Sequence, residues 1–544
     1  MKKILTLVLA LCMLSSYAFA EDLIENIDVD PGFPVVKEPI SVTIALVPQD
    51  AAVDFQVDQN WMTEYINRNS GLDIEWMVID STAASERIPL MLNSGDMPDA
   101  ILGRGFQAND VAQYGMSEGM FYPVNELLDY MPIFSAFLEE NPEVREGITT
   151  TDGNIYGFPA LNNIYSYAAR FFIDQTWLDR LGLENPTTLE EFKNMLIAFR
   201  DEDANGNGDP DDEIPWGGSW SGASAERDLI FYALGYAVSG NLAVDHTKET
   251  PDIVYVPYEA QYKDYLLYMN DLWNEGLIDP DMFTQAETQV QATVLEGTIG
   301  FCAMSAPYVY VPDTKDNWVA INAMSKEEGG LRIYPAANPV YIPAIMVINA
   351  DCDEETAAAL AALADEMYSV EWYGWSMYGP EAGSDLDYFG TGHYVEDGVV
   401  KYNMPDDMTN EWQFRCTYLT IWALPGFNNL QYDPYYQLYA EQFPDTQLGQ
   451  LFATGNYFED WQPNFIETYQ PYYAESIPTF YFTEDDLDRI NTLQTPLDDY
   501  VASMEAKFIT GEISIEDEYD NFVATLEEYG VQEYVELYNS YYGG

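Results

Sequence analysis

Histidine is nearly missing from this 544-residue chain, which has only His246 and His393. That shortage removes H-E-x-x-H zinc sites and histidine clusters, and it leaves little room for Ser-His-Asp catalysis. GGSWS (217–221) has serine where a nucleophile elbow needs glycine. Each histidine reads as a surface residue. Basic side chains are also scarce. Against 92 Asp and Glu there are 21 Lys and Arg, a formal charge of −71. A field of that sign repels nucleic acid and anionic lipid over most of the surface and reads as a solvated acidic shell. Cysteine is rare too. Outside the N-terminal apolar run only Cys302, Cys352 and Cys416 remain, with no C-x-x-C pair, so at most one disulfide could form and a disulfide scaffold is excluded. No stretch beyond the first twenty residues is apolar for long enough to cross a membrane.

The first twenty residues have the pattern of an export signal. Lys2 and Lys3 precede the apolar run ILTLVLALCML, and Ala18-Phe19-Ala20 supplies small residues for cleavage. Leu11 stands before Cys12 where a lipid-anchored precursor needs a small residue, so release as a free extracellular or periplasmic protein is expected. The remaining chain is too long for one ordinary core and suits two lobes. Its 47% apolar share is that of a globular protein.

The amino-terminal third alternates strand and helix. ISVTIALV (40–47) is rich in β-branched residues, and helical spacing follows through Trp61, Tyr65 and Ile66. DIEWMVID (73–80) is a second strand, SERIPLMLNSGD a helix ended by Gly95, and DAIL (99–102) a third strand. This order predicts a parallel sheet with helices on its faces, and ligands then sit beyond the carboxyl ends of the strands. Arg104 and Phe106, just after DAIL, are therefore candidates to face a ligand. GRGFQA (103–108) matches a dinucleotide fingerprint in form, but it follows the third strand where that motif should follow the first.

DANGNGDPDDEIP (203–215) places Asp203, Asn205, Asn207, Asp209 and Asp211 at alternate positions, with Gly208 where a calcium loop turns sharply. Position twelve is Ile214 where an EF-hand has its bidentate glutamate, so Asp212 or Glu213 would have to close the loop. Thr187 and Glu190 have capping-box spacing, and Leu189, Phe192, Leu196 and Phe199 share one helical face, so a helix leads into the loop. A bound Ca2+ would be structural. Paired carboxylates for glycoside hydrolysis cannot be singled out among so many acids, and a secreted hydrolase stays open as an alternative. A binding protein for a non-sugar solute such as a peptide stays open as well.

MLNSGDMPDAIL, DGNIYGFPAL (152–161), TWLDRLGLENPTTLEEF (176–192), the DANGNGDPDDEIP loop, LWNEGLIDPDMF (272–283), MYGPEAG (377–383) and KFITGEIS (507–514) occur in that order. As a set they resemble the family 1 extracellular solute-binding proteins of carbohydrate ABC importers, in the large branch that carries a calcium loop and includes an alginate-oligosaccharide binder. The resemblance implies an α/β fold of two periplasmic-binding-protein-like lobes, with hinge crossovers and a ligand cleft between lobes. The expected pieces are 21–165 and 306–372 for one lobe, and 166–305 and 373–544 for the other. It implies no catalysis: a single chain captures an oligosaccharide and delivers it to a membrane ABC permease. Sugars present apolar faces ringed by hydroxyls, so aromatic rings and polar side chains should line the site. Position picks out Arg104, Tyr165, Arg170, Trp216, Trp220, Tyr308, Trp372 and Trp375 as ligand-binding candidates. The expected calcium ligands are Asp203, Asn205, Asn207, Asp209, Asp211 and Asp212. The extra aspartate in DDEIP departs from the branch's usual DEIP and leaves the closing acids open.

Overall fold

The computed structural model describes residues 23–49, 52–161, 170–220, 226–405, 408, 410–421, 424–427, 434–454 and 461–542. The signal segment expected at 1–20 lies outside them, as does Tyr165. Ten strands form the two main sheets: β1 (Ile40–Leu46), β2 (Leu72–Val78), β3 (Ala100–Phe106), β4 (Phe158–Leu161), β5 (Phe171–Asp174), β6 (Ile214–Trp216), β7 (Ile299–Ala303), β8 (Trp318–Ala320), β9 (Val340–Ile348) and β10 (Gly426–Phe427).

The chain divides into two compact units. Unit one takes the chain up to Leu161, Val340–Asn428 and Leu438–Gln450; unit two takes Asn162–Pro339, Asn429–Gln437 and Leu451–Gly544. Unit one holds a six-stranded sheet in the order β10-β4-β9-β3-β1-β2. β1 runs parallel to β2 and β3, while β9 is antiparallel to both β3 and β4. The first connecting helix, Trp61–Asn69, is capped by Asn60. The second, Ser81–Ser94, ends on Gly95 at φ 72°, a left-handed conformation that glycine adopts without strain. Ile44, Ala45 and Leu46 are fully buried because both faces of the sheet are covered. The Glu354–Glu366 helix is buried from Ala357 to Asp365, and its run of alanines lets it pack closely against β1 and β9.

Unit two is built on a four-stranded sheet, β8-β5-β7-β6. Its continuous core runs from Phe171 to Tyr534 and includes Trp177, Phe192, Trp216, Phe301 and Phe522. Tyr262, Leu266 and Met269 fall on the buried face of the Ala260–Asn274 helix, with Trp273 packed at its edge. The chain closes with helices Glu484–Ile509, Ile515–Glu528 and Val531–Tyr541.

Several expectations need correction. The chain stays in unit two past residue 306, because β8 pairs with β5 in unit two's sheet, and it returns to unit one only at Val340. Residues 373–428 group with unit one, where Trp375 packs on Tyr65 with ring centroids 4.6 Å apart. The cap of the Leu189–Asp201 helix lies one residue later than the spacing suggested: Thr188 accepts from the Glu191 backbone, and the Glu191 carboxylate accepts from the Thr187 N–H. His393 is 3% exposed, and burial lowers its pKa. Cys302, Cys352 and Cys416 are all free thiols. GRGF belongs to β3 rather than to a phosphate-binding turn. Among the described residues no helix is long and apolar enough to cross a membrane.

Candidate functional site

In unit two the candidate residues gather at one end of the sheet. β6 and β7 are parallel, so the segments that leave them, 217–220 and 304–310, emerge at the same end. β5 is antiparallel to β7 and enters there, so Arg170 joins them: its backbone carbonyl accepts from Met304 N at 3.0 Å, and its guanidinium donates to the Ser305 carbonyl. Tyr308 lies in the short Pro307–Tyr310 helix that follows. Trp220 is held by a backbone bond to Met282 (2.9 Å) and by a ring contact with Phe283 at 4.7 Å, which leave it half-buried. Ser219 Oγ and the Gly218 carbonyl are tied to Gln285 at 2.8 and 2.7 Å, so the backbone carrying Trp220 is pinned.

Trp216 does not belong to that set. It has 0% exposure, its ring packs edge-on against Phe192 and Phe301, and its indole N–H donates to Glu226 Oε2 at 3.3 Å. A ring with no free face cannot stack on a sugar. Trp216 is therefore a core residue that supports the loop after it.

Glu226 is the most perturbed acid at this end. It accepts from Trp216 and from Ala303 N (3.3 Å), and Gly218 is required beside it because a Cβ there would meet Glu226 Oε1 at 2.4 Å. Burial pushes its pKa up to about 8; burial likewise pushes Asp228 to about 7, partly offset by Arg227. In unit one burial pushes Asp365 to about 7, against the backbone bonds it accepts from Phe134 and Ile133. A carboxyl whose folded pKa lies above its unfolded value binds its proton more tightly when native. Its stabilisation is full below the unfolded value, 4.5 for Glu226, and is lost as pH rises through about 8. We expect thermal stability to fall as pH rises from about 4.5 to about 8, and Glu226→Gln to remove part of that fall, on the order of 1–3 kcal/mol. Superimposable pH profiles for the variant and the parent chain would refute this assignment.

The acidic loop after the Leu189–Asp201 helix is built as a cradle. Gly208 has φ 94° and donates to Asp203 Oδ2 at 3.1 Å. Asn205 Oδ1 accepts from Asn207 N (2.9 Å), Asn207 Oδ1 from Asp209 N (2.7 Å), and Asp209 Oδ1 from Asp211 N (3.3 Å). Both Asp212 oxygens accept from the Asn205 and Asn207 amides, at 2.9 and 2.7 Å. Glu213 Oε1 accepts from Asn205 N at 3.3 Å, while Glu213 Oε2 and Asp203 Oδ1 are buried without any partner. Two buried carboxylate oxygens without donors, in an all-oxygen setting, fit a hard cation. Among the described residues no three His, Cys, Asp or Glu side chains converge as a metal cluster. A calcium loop draws on asparagine and main-chain oxygens as well as on carboxylates.

In unit one, Arg104 sits on the last turns of β3. Its Nη1 donates to the Gly105 carbonyl at 3.0 Å, and its Nε is buried without an acceptor. Trp372 is 2% exposed and packs against Phe33 and Tyr65, so it is a core residue for the same reason as Trp216. Trp375 is half-buried on Trp61 and Tyr65. Tyr341, on β9, is 55% exposed.

The two units define the class: theirs is the fold of two-domain solute-binding proteins. No protein-family model matches the chain. It is 24% identical over 505 residues to the fructooligosaccharide ABC transporter substrate-binding protein FusA of Streptococcus pneumoniae serotype 4, covering 89% of this chain and 87% of that protein. The FusA structure in complex with kestose aligns with a TM-score of 0.67 at 22% identity, over 92% of this chain and 99% of that one; a second FusA structure is of an EF-hand mutant with fructo-nystose. An HMO-binding solute-binding protein from Bifidobacterium longum infantis aligns with a TM-score of 0.70 at 20% identity, over 93% and 99% of the two chains. The alginate-binding protein AlgQ2, solved without calcium ion, gives a TM-score of 0.62 at 18% identity, over 94% and 99%. Along nearly all its length the chain is thus related to the substrate-binding components of carbohydrate ABC importers, which are binding proteins rather than enzymes.

Proposed function

We propose that this protein is the extracellular solute-binding component of an ABC importer, which captures an oligosaccharide and hands it unaltered to a membrane permease. The observation that carries the proposal is the sequence likeness to FusA along 89% of the chain. The gathering of Arg170, Trp220 and the Tyr308 segment at one end of unit two's sheet supports it, since ligands of α/β sheets bind beyond strand ends. Uptake needs no covalent step, only states that differ in affinity for the solute. A thermal-shift screen against kestose, nystose, alginate oligosaccharides and polygalacturonan fragments should find a stabilising ligand, because a bound solute raises stability by mass action. Chromatography of the recovered glycan should show it intact. Shortened products would make the chain a glycoside hydrolase instead.

Trp220→Ala and Tyr308→Ala should each weaken that ligand tenfold to a hundredfold, about 1–3 kcal/mol, without unfolding the protein. Unchanged affinity in both, by calorimetry, would remove this end of unit two from the site.

Asp203, Asn205, Asn207, Asp209 and Asp211 would hold Ca2+, with Glu213, whose Oε2 is buried without a partner, closing the loop in preference to Asp212. The ion would supply positive charge that ties the loop's carboxylates together. Chelation should then lower the melting temperature more than it lowers glycan affinity at room temperature, and the reverse ranking would mean that the metal touches the ligand.

A further inference from the structure

We propose that Glu226 is a positioning residue, whose carboxylate links the segment carrying Trp220 to the segment leading to Tyr308 and so fixes the spacing between them. What those segments bind rests on the oligosaccharide reading above. The backbone ladder between β6 and β7 ends early. Phe301 lies opposite Trp216, and among the described residues the last backbone bond across runs from Gly217 N to the Phe301 carbonyl at 3.0 Å. Past that point the Glu226 side chain makes the connection. Its Oε2 accepts from the Trp216 indole N–H and from Ala303 N, both at 3.3 Å, so it holds one donor on each side. Its Oε1 lies so close to the chain at Gly218 that a Cβ there would come within 2.4 Å. Each segment is also tied down separately, Gly218 and Ser219 to Gln285, and Met304 and Ser305 to Arg170. The carboxylate therefore joins two pieces that are already held.

The side chain is 2% exposed, and an apolar residue would fill that space at lower desolvation cost. It would also take an acceptor from the Ala303 N–H and leave no link between the two segments. Titration makes the link observable. Asp228 faces Glu226, and its charge adds to the rise that burial gives the Glu226 pKa; the Cys302 thiol on β7 faces it as well, while Arg227 is turned to Glu505. The folded value is about 8 and the ordinary value 4.5, so any opening that brings this carboxyl to water becomes easier as pH rises from about 4.5 to about 8, and no easier above that. A link loosens the two segments it joins. A general stabiliser loosens all of unit two alike.

The test is hydrogen exchange on the full ligand-free chain, corrected for the intrinsic pH dependence of exchange. Amides in 216–220 and 303–305 should open at least tenfold more readily at pH 8 than at pH 5, with the Ala260–Asn274 helix unchanged, and Glu226→Gln should reduce the difference to twofold or less. Equal loosening of that helix, or no pH dependence in the two segments, would overturn the proposal. Calorimetry with kestose, nystose, alginate oligosaccharides and polygalacturonan fragments adds the functional arm. For any of these that the parent binds, Glu226→Ala should weaken binding tenfold or more, and Glu226→Gln, which keeps an acceptor, threefold or less. Parent-like affinity in a folded Glu226→Ala protein would also overturn it. If the parent binds none of these glycans, the oligosaccharide reading falls, and the exchange pattern still decides whether Glu226 is the link.

Discussion

Replacing Trp216 with alanine should destabilise the protein by about 3–5 kcal/mol, while the molecules that remain folded bind glycan within about threefold of the parent. The indole is fully buried against Phe192 and Phe301, so its loss removes a large apolar area and leaves a cavity. It also strips Glu226 of one of the donors that make its burial tolerable. Trp372→Ala should behave in the same way in unit one, where the ring fills the space between Phe33 and Tyr65. Urea denaturation with calorimetry on the folded protein separates the two effects. An alanine variant of normal stability with affinity reduced tenfold would return either tryptophan to the ligand set.

Glu505→Ala should cost a similar 3–5 kcal/mol, for an electrostatic reason. Arg227 Nη1 meets Glu505 Oε2 at 2.9 Å, with the two side chains 16% and 2% exposed, and Tyr265 donates its hydroxyl to Glu505 Oε1 at 2.9 Å. Removing the carboxylate alone strands a guanidinium and a phenol in the core of unit two. Replacing both charges, as in Arg227→Met with Glu505→Leu, should recover much of the loss, since apolar side chains of similar volume avoid the desolvation of two ions. A double variant no more stable than Glu505→Ala would show that the pair's other partners, such as Asn241, dominate the local energy.

The sequence was most informative where the physics is local. Thr483, Ser514 and Gly530, residue types that favour helix starts, are the N-caps of the three closing helices. Gly95 was legible as a helix end because only a residue without Cβ takes that conformation cheaply. The alternation of β1, β2 and β3 was legible from β-branched runs and helical spacing. Tertiary choices were not. Whether Trp216 faces solvent or core depends on Phe192 and Phe301, which are remote in sequence, and an aromatic residue reads the same in either setting. The lean toward Glu213 over Asp212 rests on a buried Glu213 Oε2 that no donor reaches, a feature only the folded loop reveals. The return to unit one was misplaced because β8, three residues long, gives almost no signal of its own and is fixed only by its pairing with β5.

The position of β9 bears on how the chain acquires its structure. β3 and β4 are not bonded to each other; β9 is inserted between them and holds both. While the residues before Val340 are being synthesised, the six-stranded sheet has a missing centre, and local sequence cannot complete it. Assembly must wait for a segment some two hundred positions downstream, which favours slow, late consolidation over stepwise folding during synthesis.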